Sequence, residues 1–175
     1  IDRIILMGME TAMYGIEHKT PFPVLLDEVM KIKGDFEVHI AQFNPFGVQK
    51  YYDQLIKTMV NKRITDFQAP FQSTSKRILD MMNRKYFDSK KVSSFMKTLR
   101  KENTRVVCRT DMIVGWPTET EEERKRSLAR INQNNAFGRW RLRTKETTNE
   151  QSSFVALASV TRCARSSTRR DSEHE

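Results

Sequence analysis

Four short apolar runs alternating with helical stripes predict an α/β fold, a parallel sheet with outer helices. The clearest stretch is Thr110–Glu121, TDMIVGWPTETE. Its Met112, Ile113 and Val114 read as the end of a buried strand. Gly115, Trp116 and Pro117 stop that strand, because Gly permits unusual φ and Pro cannot continue a ladder. Thr118 stands three residues before Glu121, the spacing of a capping box, so a helix is expected to start there. A strand feeding a helix through so short a turn is one βα unit, and successive parallel strands are joined by right-handed crossovers. The order of elements fits an open sheet or part of a (β/α) barrel, and pattern alone does not separate the two.

Ile4–Met7 reads as a short buried strand ended by Gly8, and Gly8–Gly15 as a loop carrying one acid, Glu10. Thr20 is placed to cap a helix with Pro21 at its first position. Phe22, Leu25, Leu26 and Val29 mark the buried face of that helix, and Gly34 its end. The alternation of Phe36, Val38 and Ile40 with Glu37 and His39 predicts a second strand over 36–42. A helical stripe follows through Val48, Tyr51, Tyr52, Leu55, Ile56 and Met59. Asp66–Phe71 reads as a weaker third strand running into Gln72-Ser73-Thr74-Ser75. A short helix carries Ile78, Leu79 and Met82, and a longer one carries Val92, Phe95, Met96 and Leu99. In the fourth strand, Arg105–Val114, Val106, Cys108, Thr110 and Met112 face one side. Val107, Arg109, Asp111 and Ile113 face the other.

Beyond Ile131 the chain turns polar and Arg-rich, and 132–175 reads as a largely disordered tail. Its one apolar run is Phe154–Val160, with Phe137–Leu142 a poor candidate strand. At 175 residues the chain holds one sizeable core plus that tail, with 38% hydrophobic and 30% charged residues. No run approaches the ~20 apolar residues of a membrane span, so no membrane is expected and the cytoplasm is the default location. Two cysteines, Cys108 and Cys163, exclude a disulfide framework or a cysteine-rich metal site. Cys108 reads as a packed core residue and Cys163 as part of the polar tail. The chain opens at Ile1 inside an apolar run, as a fragment would.

The polar and Gly residues gather where strands end: Gly8 to Thr11, Gln42 to Asn44, Gln72-Ser73 and Gly115 to Thr118. Parallel strands put these four segments on one rim, where ligands of α/β folds bind. The helix after Thr118 would offer free amide groups to an anion there. Each feature alone is explained by turns and caps; their shared rim favours a ligand site. Asp111 and Arg109 point the same way, so they form a buried ion pair or meet a polar cofactor near the mouth; the need of buried charges for partners favours the pair. His39 reads as a packed strand residue. The formal charge of +9 suits an anionic partner such as RNA. Lys76, Arg77, Arg84, Lys85, Lys90 and Lys91, with Tyr86 and Phe87 among them, form a basic face of the kind that meets RNA. A plain solvated face is equally consistent with that run. No P-loop, G-x-G-x-x-G, G-x-S-x-G or H-E-x-x-H occurs.

Three stretches carry a family resemblance. IVGWPTETEEE (Ile113–Glu123) resembles the IVGFPGETEED motif of radical-SAM methylthiotransferases, which modify tRNA or a ribosomal protein. APFQSTSKRILDMMNRKY (Ala69–Tyr86) is similar to that family's PLQSGS…VLKxMNRxY stretch, and GMETAMYG (Gly8–Gly15) to its GQDxxxYG loop. They occur in family order over roughly 1–131. The resemblance implies an incomplete (β/α) barrel of the radical-SAM type, with S-adenosylmethionine across the rim beside a [4Fe-4S] cluster. Cleavage of the cofactor would give a 5′-deoxyadenosyl radical that abstracts hydrogen from the substrate. By matched motif, Gly8, Glu10, Gln72, Ser73, Asp111 and Gly115 would contact the cofactor. Glu10 would take the methionine amino group, and Gln72 or Ser73 its polar part. Met9 and Glu10 stand where the motif has Gln-Asp, and Thr118 where it has Gly. The three cluster cysteines, spaced Cys-x-x-x-Cys-x-x-Cys, would lie upstream of Ile1. The match stops after Ile131, as a truncated or frame-shifted reading would.

Two functions follow as expectations. The first is the incomplete core of a radical-SAM methylthiotransferase acting on tRNA through Lys76, Arg77, Arg84 and Lys85 (a ribosomal protein being the other substrate), inactive alone for lack of its cluster. The alternative is a non-enzymatic basic α/β module that binds RNA through the 76–91 face.

Overall fold

A computed structural model describes residues 1–133 and 156–160. Strands β1 (Arg3–Leu6), β2 (Glu37–Ile40), β3 (Ile64–Gln68) and β4 (Val107–Val114) lie side by side in chain order, all parallel. Helices α1 (Phe22–Lys31), α2 (Pro45–Lys50), α3 (Tyr52–Met59), α4 (Lys76–Met81) and α5 (Ser89–Glu102) make the crossovers, and α6 (Glu121–Gln133) follows β4. The chain is therefore α/β. The order 1-2-3-4 has none of the reversal that creates the switch point of a doubly wound sheet, and is consistent with an incomplete barrel. A fifth strand, β5 (Ala156–Val160), adds antiparallel to β4, with Asp111 opposite Ser159. It falls inside the segment that sequence composition reads as disordered. The rest of that tail beyond 133, with Cys163 and the Phe137–Leu142 stretch, lies outside the described residues.

Alternation along each strand gives the sheet two unlike faces. Val38, Ile40, Ile64, Phe67, Cys108 and Met112 are buried beneath the helices. Phe22 of α1, Phe43, Phe67 and Phe95 of α5 form a line of ring contacts with centroids 4.9, 5.5 and 5.7 Å apart. All four are fully buried, and such contacts add about 1 kcal/mol each to their area burial. The opposite face carries Glu37, His39, Asp66, Gln68, Arg109 and Asp111. Five of these are half-buried and Asp111 is buried.

Several sequence expectations need correction. Thr20 does not cap α1: its hydroxyl donates to His18 O at 3.1 Å, and Pro21 takes the cap position. The stripe from Val48 to Met59 is two helices, because Tyr51 at φ −116° and ψ 25° leaves the helical region. Val48, Tyr51, Leu55 and Met59 are still buried on one side, which is why the period looked continuous. Gly47 sits at a close approach, since a Cβ there would lie 2.4 Å from that of Ala12. The third strand starts at Ile64, two residues before its expected start. Asp88 caps α5, accepting from the amides of Lys90 and Lys91 at 2.8 and 3.2 Å. The box that opens α6 is Thr120 with Glu123, not Thr118 with Glu121. Glu123 N donates to Thr120 Oγ1 at 3.2 Å, and Thr120 N to Glu123 Oε2 at 3.0 Å.

The lower end of the sheet is fastened by Asn103, which is fully buried after α5. Its amide donates to the carbonyls of Met59, Asn61 and Ile64 at 3.0, 3.0 and 2.9 Å. Asn103→Ala would strand these acceptors, a cost of about 3 kcal/mol. Urea unfolding of that variant is expected to show a lower midpoint with an unchanged slope.

Candidate functional site

Beyond Gln68 the chain stays bonded to β4. Ala69 N donates to Arg109 O at 3.0 Å, Gln72 N to Asp111 O at 2.9 Å, and Ile113 N to Gln72 O at 2.9 Å. Phe71 N donates to Thr110 Oγ1 at 2.9 Å. These bonds carry Gln72 to the rim beside Met112 as an isolated parallel bridge. Gln72, four residues past β3, holds φ 65°, and Gln42, two residues past β2, holds φ 53°. Two glutamines in the left-handed region are costly conformations of the kind that collect at ligand sites. The sequence gives no signal for either. Gln72 Oε1 is buried and has no hydrogen-bond partner among the described residues.

Neighbouring segments share this edge. Thr11 Oγ1 donates to Ala41 O at 3.0 Å, tying the loop after β1 to the end of β2. Asn44 Nδ2 donates to Glu10 Oε2 at 2.8 Å, while Asn44 Oδ1 accepts from Phe46 N at 3.0 Å and caps α2. Glu10 is exposed. Gln68 Nε2 donates to Asp111 Oδ2 at 2.8 Å, and Asp111 is 8% exposed. The expected Arg109–Asp111 pair is not made: Arg109 reaches across to Asp66 instead, with Nε to Oδ1 at 3.0 Å. The two charges on one strand both face the inner side, but the neighbouring strand offers Arg109 a nearer acid. His39 pairs with Glu37 Oε2 at 3.6 Å.

The remaining rim candidates are internally engaged. Gly8 N donates to Thr11 Oγ1 at 3.0 Å. Ser73 is fully buried and its hydroxyl accepts from Ser75 N at 3.1 Å. Gly115 has φ 80°, and its amide donates to Glu119 Oε2 at 2.8 Å. The start of α6 is thus supplied with carboxylates of its own, and the expected anion site there is not favoured. Thr118 has φ 72°, which explains why the resembled motif has Gly at that place.

Two of the resembled stretches meet at α6. Ser75 Oγ donates to Glu123 Oε1 at 2.8 Å, Arg77 Nε to the same atom at 2.9 Å, and Thr74 Oγ1 bonds to Ser127 Oγ at 2.9 Å. Arg77 also donates to Thr118 O at 2.7 Å. The Arg77 guanidinium, with the Thr120 amide and Ser75 hydroxyl, holds the Glu123 carboxyl well below the usual carboxylate range. Of the expected RNA-facing cations, Arg77 is therefore tied down and Lys76 pairs with Asp80 at 2.8 Å. Among the described residues the Arg84 guanidinium bonds to Pro70 O at 3.5 Å, and Lys85 makes no ion pair.

Among the described residues no three His, Cys, Asp or Glu side chains gather as a metal site. Cys108 is 1% exposed, and burial pushes its thiol up to about 12, so it does not fit an iron–sulfur cluster, whose ligands are thiolates.

No protein-family model matches the chain. Over 129 residues it is 33% identical to a probable threonylcarbamoyladenosine tRNA methylthiotransferase of Pyrococcus horikoshii, covering 73% of this chain and 30% of that protein. It is 32% identical over 130 residues to a tRNA-2-methylthio-N(6)-dimethylallyladenosine synthase of Hydrogenobaculum sp., covering 73% and 29%. It is also 32% identical over 127 residues to a ribosomal protein uS12 methylthiotransferase of Clostridium botulinum, covering 70% and 28%. Over this part, the chain belongs to the methylthiotransferase family. It spans about 30% of the length of the relatives it matches, which are named as methylthiotransferases. No described helix of this methylthiotransferase segment is long and apolar enough to cross a membrane.

Two measurements bear on this geometry. Glu123→Gln is expected to lower the melting temperature at neutral pH. A carboxylate held below its unfolded value stabilises the fold above the usual range of about pH 4.3. The native chain's advantage should stay constant down to that range and vanish as the pH falls further. In a Cys163→Ser chain, Cys108 should stay unreactive to a thiol disulfide reagent at pH about 8 until urea unfolds the protein.

Proposed function

We propose that this chain is the cofactor-holding part of a methylthiotransferase of the radical-SAM type, whose whole protein adds a methylthio group to a tRNA base. The observation that carries the reading is the Gln72 amide oxygen, buried and unpartnered at the rim on a left-handed backbone. An acceptor left in that state costs about 1–3 kcal/mol, and a donor on a bound ligand removes the cost. S-adenosylmethionine presents such donors in its amino and hydroxyl groups. Glu10, exposed and oriented by Asn44, supplies the negative charge that suits the amino group. Asp111 serves through Gln68 and through the backbone bond to Gln72, as a positioning residue. Gly8, Ser73 and Gly115 shape the rim; the bonds that occupy them argue against direct polar contact.

When bound, the cofactor supplies the sulfonium chemistry, and these residues bind it, orient it and keep water from it. Among the described residues, neither a His, Cys, Asp or Glu group nor the buried Cys108 thiol fits an iron–sulfur cluster. The core would occupy 1–131, in a cytoplasmic protein. The charge of +9 favours tRNA over a ribosomal protein as the substrate. The alternative, a basic module that binds RNA and no cofactor, keeps the charge and leaves the Gln72 oxygen unexplained.

Equilibrium dialysis against S-adenosylmethionine separates the two. The native chain should bind, with Glu10→Ala and Gln72→Leu each weakening binding about tenfold. Equal binding in all three, or none in any, overturns the reading. The isolated chain should take up no cluster, and about four irons per chain after anaerobic reconstitution, the content of one [4Fe-4S] centre, would refute that part.

A further inference from the structure

Beside the rim, a cleft of about 350 Å³ opens between the start of α2 and the link from α4 to α5. Asn44, Pro45 and Phe46 form one wall; Arg84, Tyr86 and Phe87 form the other. That volume lies in the range of about 300–1,000 Å³ typical of small-ligand sites. None of the six rim residues assigned above to the cofactor lines it. The two walls are clasped by Gln49 of α2, whose Nε2 donates to Tyr86 O at 2.8 Å and whose Oε1 accepts from Asp88 N at 2.6 Å. Phe87 anchors the floor against Phe71, with centroids 5.2 Å apart. Phe46 and Tyr86, by contrast, stand 39% and 80% exposed and meet edge to face, with centroids 6.5 Å apart and planes at 64°.

The charges at this cleft are unbalanced. Arg84 is the cation in the cleft lining, its guanidinium bonded among the described residues to a carbonyl at 3.5 Å, and its chain neighbour Lys85 makes no ion pair there. The nearby acids are engaged: Asp88 caps α5, Asp80 holds Lys76, and Glu10 accepts from Asn44. Exposed aromatic rings bordered by Arg84 and Lys85 match a ligand that alternates planar bases with phosphates. An apolar peptide would leave the cations unpaired, and an acidic one would leave the rings uncovered.

We infer that the Phe46–Tyr86 cleft stacks a nucleobase of single-stranded RNA, with Arg84 and Lys85 on the flanking phosphates. Asn44, at the cleft edge, has its amide directed to Glu10, so it links this site to the cofactor edge. The inference rests on the proposed RNA substrate and adds where the strand lies. It moves the contact away from Lys76 and Arg77, which are exposed but paired with Asp80 and Glu123.

Fluorescence anisotropy of the full chain with a labelled oligoadenylate, and with an abasic strand of equal length, tests it. Tyr86→Ala should weaken oligoadenylate binding about tenfold and leave abasic binding unchanged, because stacking on an aromatic ring is worth a factor of this order. Tyr86→Phe should retain native affinity. Lys85→Glu should weaken both strands and flatten the salt dependence. Native affinity in Tyr86→Ala, or no binding of oligoadenylate by the native chain, overturns the inference. So does full displacement by polyglutamate of equal charge with no loss from Tyr86→Ala, which marks a surface that reads charge alone. S-adenosylmethionine dialysis on the same variants keeps the two readings apart. Cofactor binding without base stacking removes only the cleft, and stacking without cofactor binding removes only the rim.

Discussion

The organisation of the rim depends on the backbone after β3 remaining hydrogen-bonded to β4. Gln72 gives its amide to Asp111 O and takes Ile113 N on its own carbonyl. With both ends fixed, its φ of 65° is imposed rather than chosen. The same bonds bury Ser73 and place Gln68 beside the Asp111 carboxylate. They also deliver Thr74, Ser75 and Arg77 to the face of α6, where Glu123 and Ser127 receive them. A buried amide oxygen without a donor persists only because this frame over-determines its position.

The second organising fact is the difference between the two sheet faces. Helices cover the side that carries Phe67, Cys108 and Met112, and the line of phenylalanine rings fills that layer. The other side holds Arg109 against Asp66 and Gln68 against Asp111. Polar groups at this density need partners when water is scarce. Cross-strand pairs supply most of them here, and at the rim the Gln72 amide oxygen is left without one. A sheet that is apolar outward and polar inward is suited to hold a polar ligand along the inner side.

Much of this was legible in the residues. The alternation of Val38 and Ile40 with Glu37 and His39, and of Cys108 and Met112 with Arg109 and Asp111, gave both faces of the sheet correctly. The parallel order puts the segments that follow β1, β3 and β4 at the same end of the sheet. What failed was local. Thr118 fits the spacing of a capping box, but its φ of 72° puts it outside the helix, and Thr120 makes the same spacing with Glu123. Arg109 took its partner from an adjacent strand, a register that sequence spacing does not contain. The left-handed glutamines carry no composition signal, since Gly or Asn is the residue such positions advertise. β5 lies in the apolar run Phe154–Val160, whose polar flanks favoured a disordered reading, and its pairing with β4 is a long-range contact that composition does not contain.

That flank of β4 is occupied, but the opposite border of the sheet is bare. Among the described residues β1 pairs only with β2. Ile5 and Met7 stand 58% and 71% exposed along it, with Arg3 as its single charge. Nature usually guards such a border with lysine, proline or a bulge. Here the guards are the four-residue length of β1 and Arg3, so a further strand of any origin can extend the ladder along β1.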